Sequence, residues 1–150
     1  LSAGIYYYFT KMKNEKETLD TLEKAPRKKI IISDAEVEKI EKAIQQLLDK
    51  RLYLKPKITR KSFCDDHKIK SERYLSHYIN TEYKESFTVY LNNLRIEYAY
   101  NRIQTDSKFR NYRIEEIAKE SGFGSKKSFE RAFAAKYKDT PYKLILSINS

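Results

Sequence analysis

From near Ile30 onward the apolar residues keep helical spacing. Val37, Ile40, Ile44, Leu47 and Leu48 fall on one face of a helix expected to run from Ser33 to about Leu52. Ser33 and Glu36 have the spacing of a capping box, with Ile32 and Val37 placed for a hydrophobic staple. That helix could supply a dimer seam or cover the domain's own core. Lys55-Pro56 then breaks the chain, and Thr59 is expected to cap the next helix. Phe87, Leu91, Leu94, Tyr98 and Ile103 predict a long amphipathic helix over about 86–105. Residues 105–112 read as a polar loop. Thr140-Pro141 opens a last helix, with proline at the favoured first position.

One stretch occurs twice. Residues 63–79 superpose on residues 117–133 at a constant offset of 54. Phe63 falls on Ile117, Cys64 on Ala118, Ile69 on Phe123, Ser71 on Ser125, Leu75 on Phe129 and Ile79 on Phe133. Each copy predicts a short helix, a tight turn and a second helix. Ser71 and Ser125 stand as caps of the second helices, and Gly122 supplies a positive φ at the turn. The small residue at 64 and 118 lets the two helices cross closely. This is the helix-turn-helix pattern, whose second helix enters the DNA major groove. Any pair of short amphipathic helices could pack this way once. Two copies in phase, in a basic chain, point to nucleic acid.

The chain has 150 residues and a formal net charge of +10, which favours a polyanionic partner, either nucleic acid or an anionic membrane face. Three glycines and three prolines suit an all-α protein with short connections. A single cysteine excludes an internal disulfide framework and fits a reducing compartment. No enzyme constellation is present: there is no Gly-rich phosphate loop, and no cofactor is implied. Cys64 and His67 have no second pair of ligands to complete a zinc site, and packing explains Cys64 through its match to Ala118. The carboxylates of Asp65, Asp66, Glu115 and Glu116 are expected on exposed faces rather than in a catalytic pocket.

Residues 1–32 read as a partly helical linker preceding a domain over 33–150. The aromatic start, Tyr6 to Phe9 followed by Lys11 and Lys13, has the composition of the cytoplasmic end of a membrane span. The alternative is a chain end that packs on the core or stays disordered. The chain does not begin with Met, which fits a fragment or a processed product.

With these residues in hand, the chain resembles the DNA-binding domain of AraC-type (arabinose-regulator) transcription factors over roughly residues 59–149. The carriers are Tyr74-Leu-Ser76, Ser86-Phe87, Tyr90-Leu91, Leu94-Arg-Ile96, Ala99, Ile114 to Ala118, Gly122-Phe123, Ser128-Phe129, Arg131, Phe133 and Thr140-Pro141. The resemblance implies about seven helices in two helix-turn-helix subdomains (about 59–83 and 114–137) joined by the long helix. It implies base reading by Arg73, Ser76, His77 and Asn80 from the first copy and by Lys126, Lys127, Glu130 and Arg131 from the second. These positions are expected opposite the buried Leu75/Ile79 and Phe129/Phe133 stripes. Arg and Lys suit guanine, Asn adenine, and Glu the cytosine amino group. Arg131 has a second reading as a brace of the fold.

Two departures from the family stand out. Lys84 and Lys138 occupy the places where glycine usually follows each reading helix. A positive φ is unfavourable for lysine, so altered helix ends or added phosphate contacts are expected there. Arg113 replaces the usual small hydroxyl, so its helix is expected to lack a cap, and a phosphate would suit that position. The implied partners are double-stranded DNA, RNA polymerase, an upstream sensor region of the same polypeptide and a second copy in a homodimer. The implied location is the cytoplasm, free or tethered to the inner face of the membrane. The competing class is a basic helical interaction module that binds an anionic membrane or a protein without reading sequence.

Overall fold

A computed structural model describes residues 29–150, so the aromatic start and most of the expected linker lie outside the described residues. Residues Ile32–Ser150 form one unit, and the secondary structure among the described residues is entirely helical. The order is α1 (Asp34–Asp49), a 3-10 turn (Leu52–Leu54), α2 (Arg60–Asp66), α3 (Glu72–Tyr83), α4 (Phe87–Thr105), α5 (Ser107–Arg110), α6 (Ile114–Glu120), α7 (Lys126–Tyr137) and α8 (Pro141–Asn149).

Two cores organise these helices. The first collects Ile40, Ala43, Ile44 and Leu47 of α1, Phe63 and Cys64 of α2, Leu75 and Ile79 of α3, and Phe87, Tyr90 and Leu91 of α4. The apolar face of α1 therefore covers its own domain's core. The second core collects Ile96, Ala99 and Ile103 of α4, Phe109, Ile117 and Ala118, then Phe123, Phe129 and Phe133. Helix α4 serves both. At 100° per residue, Phe87, Tyr90 and Leu91 centre roughly 160° around the axis from Ile96, Ala99 and Ile103. The single stripe expected for this helix is thus two stripes on nearly opposite faces, one per half. Leu94 and Tyr98 are only half-buried.

The expected polar loop at 105–112 contains a helical turn. Asp106 Oδ1 accepts the Phe109 N–H at 3.0 Å, and Phe109 is fully buried in the second core. Arg110 holds the turn from below by donating to Ile103 O at 2.7 Å. One apolar side chain in a polar stretch has no periodicity to reveal it. Helix α1 ends three residues before the expected Leu52, and Arg51 turns into the 3-10 segment with φ 49.

The lobes meet at Arg95, which is 7% exposed. Its Nε donates to Tyr53 O at 2.6 Å and its Nη2 to Lys55 O at 2.8 Å. The guanidinium lies 5.7 Å from the centroid of Phe123. Burial lowers the Arg95 pKa from its ordinary value, but a guanidinium stays charged throughout the pH range of folded proteins.

Five non-glycine residues among those described have positive φ, and all are basic: Arg51, Lys57, Lys68, Lys84 and Lys138. Lys84 (φ 59) and Lys138 (φ 57) terminate α3 and α7 in the left-handed conformation. The helix ends are therefore not altered by the loss of glycine, and lysine takes up the glycine geometry. Lys68 (φ 55) does the same in the first turn, at the place Gly122 (φ 89) holds in the second. The difference between those two is space. A Cβ on Gly122 would stand 2.8 Å from Arg95 Nε, 2.9 Å from Tyr53 O and 3.0 Å from Leu54 O, whereas Lys68 is exposed. Gly122→Ala should then cost about 2 kcal/mol or more, combining left-handed strain with overpacking. Lys68→Ala, which keeps a Cβ at the same φ, should stay within about 0.5 kcal/mol of the parent. Denaturant midpoints at constant m-value measure both.

Candidate nucleic-acid interface

Each helix-turn-helix is built from local caps. Thr59 Oγ1 accepts the Ser62 N–H and Ser62 Oγ accepts the Thr59 N–H, both at 3.0 Å, fixing the start of α2. Ser71 Oγ accepts the Tyr74 N–H at 3.2 Å at the start of α3. In the second copy Ser125 Oγ accepts the Ser128 N–H at 3.1 Å at the start of α7. The two second helices repeat closely. Both have 12 residues, their caps have φ −156 and −152, and they end at φ 59 and 57. Helix α6 is half-capped rather than bare. The Glu116 carboxylate accepts the Arg113 N–H at 3.1 Å, while arginine has no acceptor to return the bond.

Glu36 departs from its expected partner. Ser33 Oγ accepts the Glu36 N–H at 3.4 Å, but the carboxylate does not reach back to Ser33. It accepts from Lys39 Nζ at 2.6 Å and from the Lys70 N–H at 3.0 Å. The capping box is thus half formed, and its carboxylate is spent on the residue immediately before Ser71. Helix α1 in this way fixes the entry to α3. Such a bond joins residues 34 positions apart, beyond the reach of a local motif.

Around α3, Arg73, His77 and Asn80 lie roughly 120–180° from the Leu75/Ile79 stripe, and Ser76 lies on the flank. Arg73 and Asn80 are exposed, while Ser76 and His77 are half-buried. Around α7, Lys127 and Arg131 lie opposite Phe129/Phe133 and are exposed, and Glu130 is a half-buried flank residue. Among the described residues, no side-chain hydrogen bond or ion pair holds Arg73, Asn80, Lys127 or Arg131. Lys126 breaks the expectation. It sits roughly 40° from the buried stripe rather than opposite it, in an ion pair with Glu115 at 3.4 Å.

Arg60 was not signalled by the repeat, because Ile114 stands at the matching place. From the start of α2 its Nη1 donates to Ser76 Oγ at 3.1 Å, and its Nε lies 3.6 Å from a Glu72 carboxylate oxygen. The first lobe thus lays a cation from α2 along the flank of α3. The second lobe reverses the polarity, with Glu115 of α6 against Lys126 of α7. Lys84, Arg113 and Lys138 are all exposed, and Lys138 Nζ also donates to Ala135 O at 2.9 Å. Cys64 is buried and its thiol is pushed up to about 11, chiefly by that burial. It packs where the second copy has Ala118, and at neutral pH it stays protonated.

A family model described as a helix-turn-helix domain matches residues 70–145. The chain belongs to the AraC-type helix-turn-helix family. This family comprises transcription-factor DNA-binding domains, not enzymes. Several solved structures share the architecture. The C-terminal domain of the two-component response regulator yesN from Fusobacterium nucleatum subsp. nucleatum is 25% identical, with TM-score 0.58, over 75% of this chain and 99% of that one. The C-terminal domain of AraT, a response regulator from Geobacillus stearothermophilus, is 23% identical, with TM-score 0.62, over 73% and 84%. The DNA-binding domain of AdpA, a global transcriptional factor solved in complex with a target DNA, is 15% identical, with TM-score 0.61, over 72% and 90%. The likeness to AraT and AdpA is one of fold. No curated protein matches this chain in sequence.

Within this AraC-type domain, the Glu36 contact yields a pH signature. Lys39 and then the Lys70 N–H hold the Glu36 pKa below its ordinary value of 4.5. A lowered folded-state pKa means a contribution present above about pH 4.5 and lost as pH falls through the folded value. Glu36→Ala should lower the thermal midpoint at pH 7 and narrow its gap to the parent as the pH drops below 4. The Lys70 amide should exchange its hydrogen faster in the variant at pH 7. Unchanged exchange there would mean that Glu36 does not hold the entry to α3.

Proposed function

We propose that this AraC-type domain binds double-stranded DNA in a sequence-specific manner and regulates transcription, with α3 and α7 entering successive major grooves. The observation that carries the reading is the pair of equally capped twelve-residue helices on the two ends of one helix, each facing outward with cationic side chains, joined on α3 by the Asn80 amide. Helix α4 has 19 residues, or about 28 Å at 1.5 Å per residue. One turn of B-DNA is about 34 Å, so a spacer of this size suits two adjacent grooves. That the AdpA domain was solved with its target DNA supports the same assignment.

Arg73, His77, Asn80, Lys127, Glu130 and Arg131 are the proposed readers. Ser76 reads with Arg60 already bonded to its oxygen, so its hydroxyl hydrogen is the part left to offer a base acceptor. Lys126 reads only if it leaves Glu115. Lys84, Arg113 and Lys138 are proposed to meet phosphates. As a regulator the domain would work in the cytoplasm beside RNA polymerase, under an upstream sensor region and with a second copy as further partners. No helix of the described residues is long and apolar enough to cross a membrane.

Selection from random-sequence duplexes, followed by mobility shift, tests the proposal. An enriched motif with two half-sites about one turn apart supports it. Binding with no sequence preference would transfer the domain to the competing class of basic interaction modules. Arg73→Ala should relax preference at one base pair and cost about 1–3 kcal/mol on the selected site. A uniform loss over all sequences would make Arg73 a phosphate anchor instead. Lys84→Gly should leave the selected motif unchanged and reduce the salt slope of binding by about one phosphate contact. An unchanged slope removes Lys84 from the interface.

A further inference from the structure

The lobes touch at a second place beside α4. Tyr53 and Lys55, whose carbonyls Arg95 binds, lie in the segment that leaves α1. Phe123, under the same guanidinium, plugs the turn of the second helix-turn-helix, two residues before the Ser125 cap of α7. Gly122 leaves no clearance, since its missing Cβ would press on Arg95 Nε and on the Tyr53 and Leu54 carbonyls. Leu54 and Pro56 line one groove with Ala118, Phe123, Gly124 and Ser125. The turn that orients α7 is therefore packed on backbone of the first lobe. The matching place in the first turn is Lys68, which is exposed. This asymmetry serves neither reading helix alone. It bears on the relation between them.

We propose that the contact of Arg95 and Gly122 with the 53–55 segment is a positioning device that sets the half-site spacing this domain accepts on DNA. The inference rests on the DNA reading above. A single helix is stiff along its axis, but a lobe attached only by one face of it can rock about that axis. A buried bidentate guanidinium and a close-packed glycine remove that freedom. Two-lobe binding then gains its advantage at one spacing and forfeits it when the half-sites fall out of phase. Arg95 is a positioning residue here and touches no base.

The test uses the full chain and duplexes carrying the two selected half-sites at the selected spacing, with an insertion of about half a turn (~5 base pairs), or with one half-site only. For the parent, the insertion should weaken binding roughly 10²-fold, down to the single half-site level. Arg95→Lys, which keeps the charge but lacks the planar fork that serves both carbonyls, should keep the parent's single half-site affinity while the insertion penalty shrinks below about tenfold. Gly122→Ala should shrink the insertion penalty likewise, with binding to the first lobe's half-site, read by α3, as its reference, and it decides the matter if circular dichroism shows the lysine variant unfolded. A parent that tolerates the insertion overturns the inference without any variant. So does a folded variant with intact half-site binding and the full penalty. If the parent selects no motif at all, the DNA reading falls and this inference falls with it.

Discussion

The structure depends on one buried charge. Placing the Arg95 guanidinium at 7% exposure costs desolvation, and only donors matched to acceptors offset that cost. The Tyr53 and Lys55 carbonyls supply the acceptors. They have their own need, because a chain bending from a 3-10 turn toward Pro56 has no regular ladder to use its carbonyls. Charge-assisted bonds to such groups are worth about 1.5–3 kcal/mol each, and removing the donor leaves two acceptors stranded. Because Arg95 sits at the middle of α4, between the stretch that faces the first core and the stretch that faces the second, it ties the connecting segment, the long helix and the second turn at one point.

The two-faced burial of α4 follows from the same arrangement. A helix with one apolar stripe would gather both lobes on one side. Here Phe87, Tyr90 and Leu91 give way, through Arg95, to Ile96, Ala99 and Ile103 on nearly the opposite side. Each lobe closes over its own half, and the second helices of the two repeats, α3 and α7, pack by their Leu75/Ile79 and Phe129/Phe133 edges. Tyr74, Tyr78 and Tyr83 of α3 and Ala132 and Tyr137 of α7 flank those stripes against the two cores, and the opposite faces are left to solvent. Arg73 and Asn80, and Lys127 and Arg131, are exposed there, where substitutions generally cost little in stability, as the proposed reading surface requires.

What was legible in the chain was what is written locally. The caps at Thr59, Ser71, Ser125 and Thr140, the small residues at 64 and 118 and the buried stripes each act within a few positions, and the repeat doubled their signal. The partners that cross the fold were not legible. Glu36 has the spacing of a capping residue, and only the packing of α1 against the first turn shows that it serves Lys70. Arg95 looks like one more charge on a helix until its carbonyl partners, 42 and 40 residues away, are in view. Lys126 was misplaced for a related reason. As the first residue of α7 it lies close to the buried side, within reach of Glu115 on the preceding helix.

The lysines at positive φ connect composition to backbone. Lys84 and Lys138 carry charge at the C-terminal ends of α3 and α7, where the helix dipole is negative and a cation gains about 0.3–1 kcal/mol. That gain offsets part of the left-handed penalty of about 1–2 kcal/mol. Glycine avoids the penalty but loses roughly 0.5–1 kcal/mol of chain entropy on folding. The two choices are therefore close in free energy wherever the Cβ meets solvent. At such sites a basic chain can give up glycine and gain charge at the ends of α3 and α7 at little cost. Gly122 is the place where the exchange fails, because its Cβ would meet Arg95 and two carbonyls rather than water. At Lys84 and Lys138 the absence of glycine and the added charge go together, and at Gly122 the contact between the lobes forbids the same exchange.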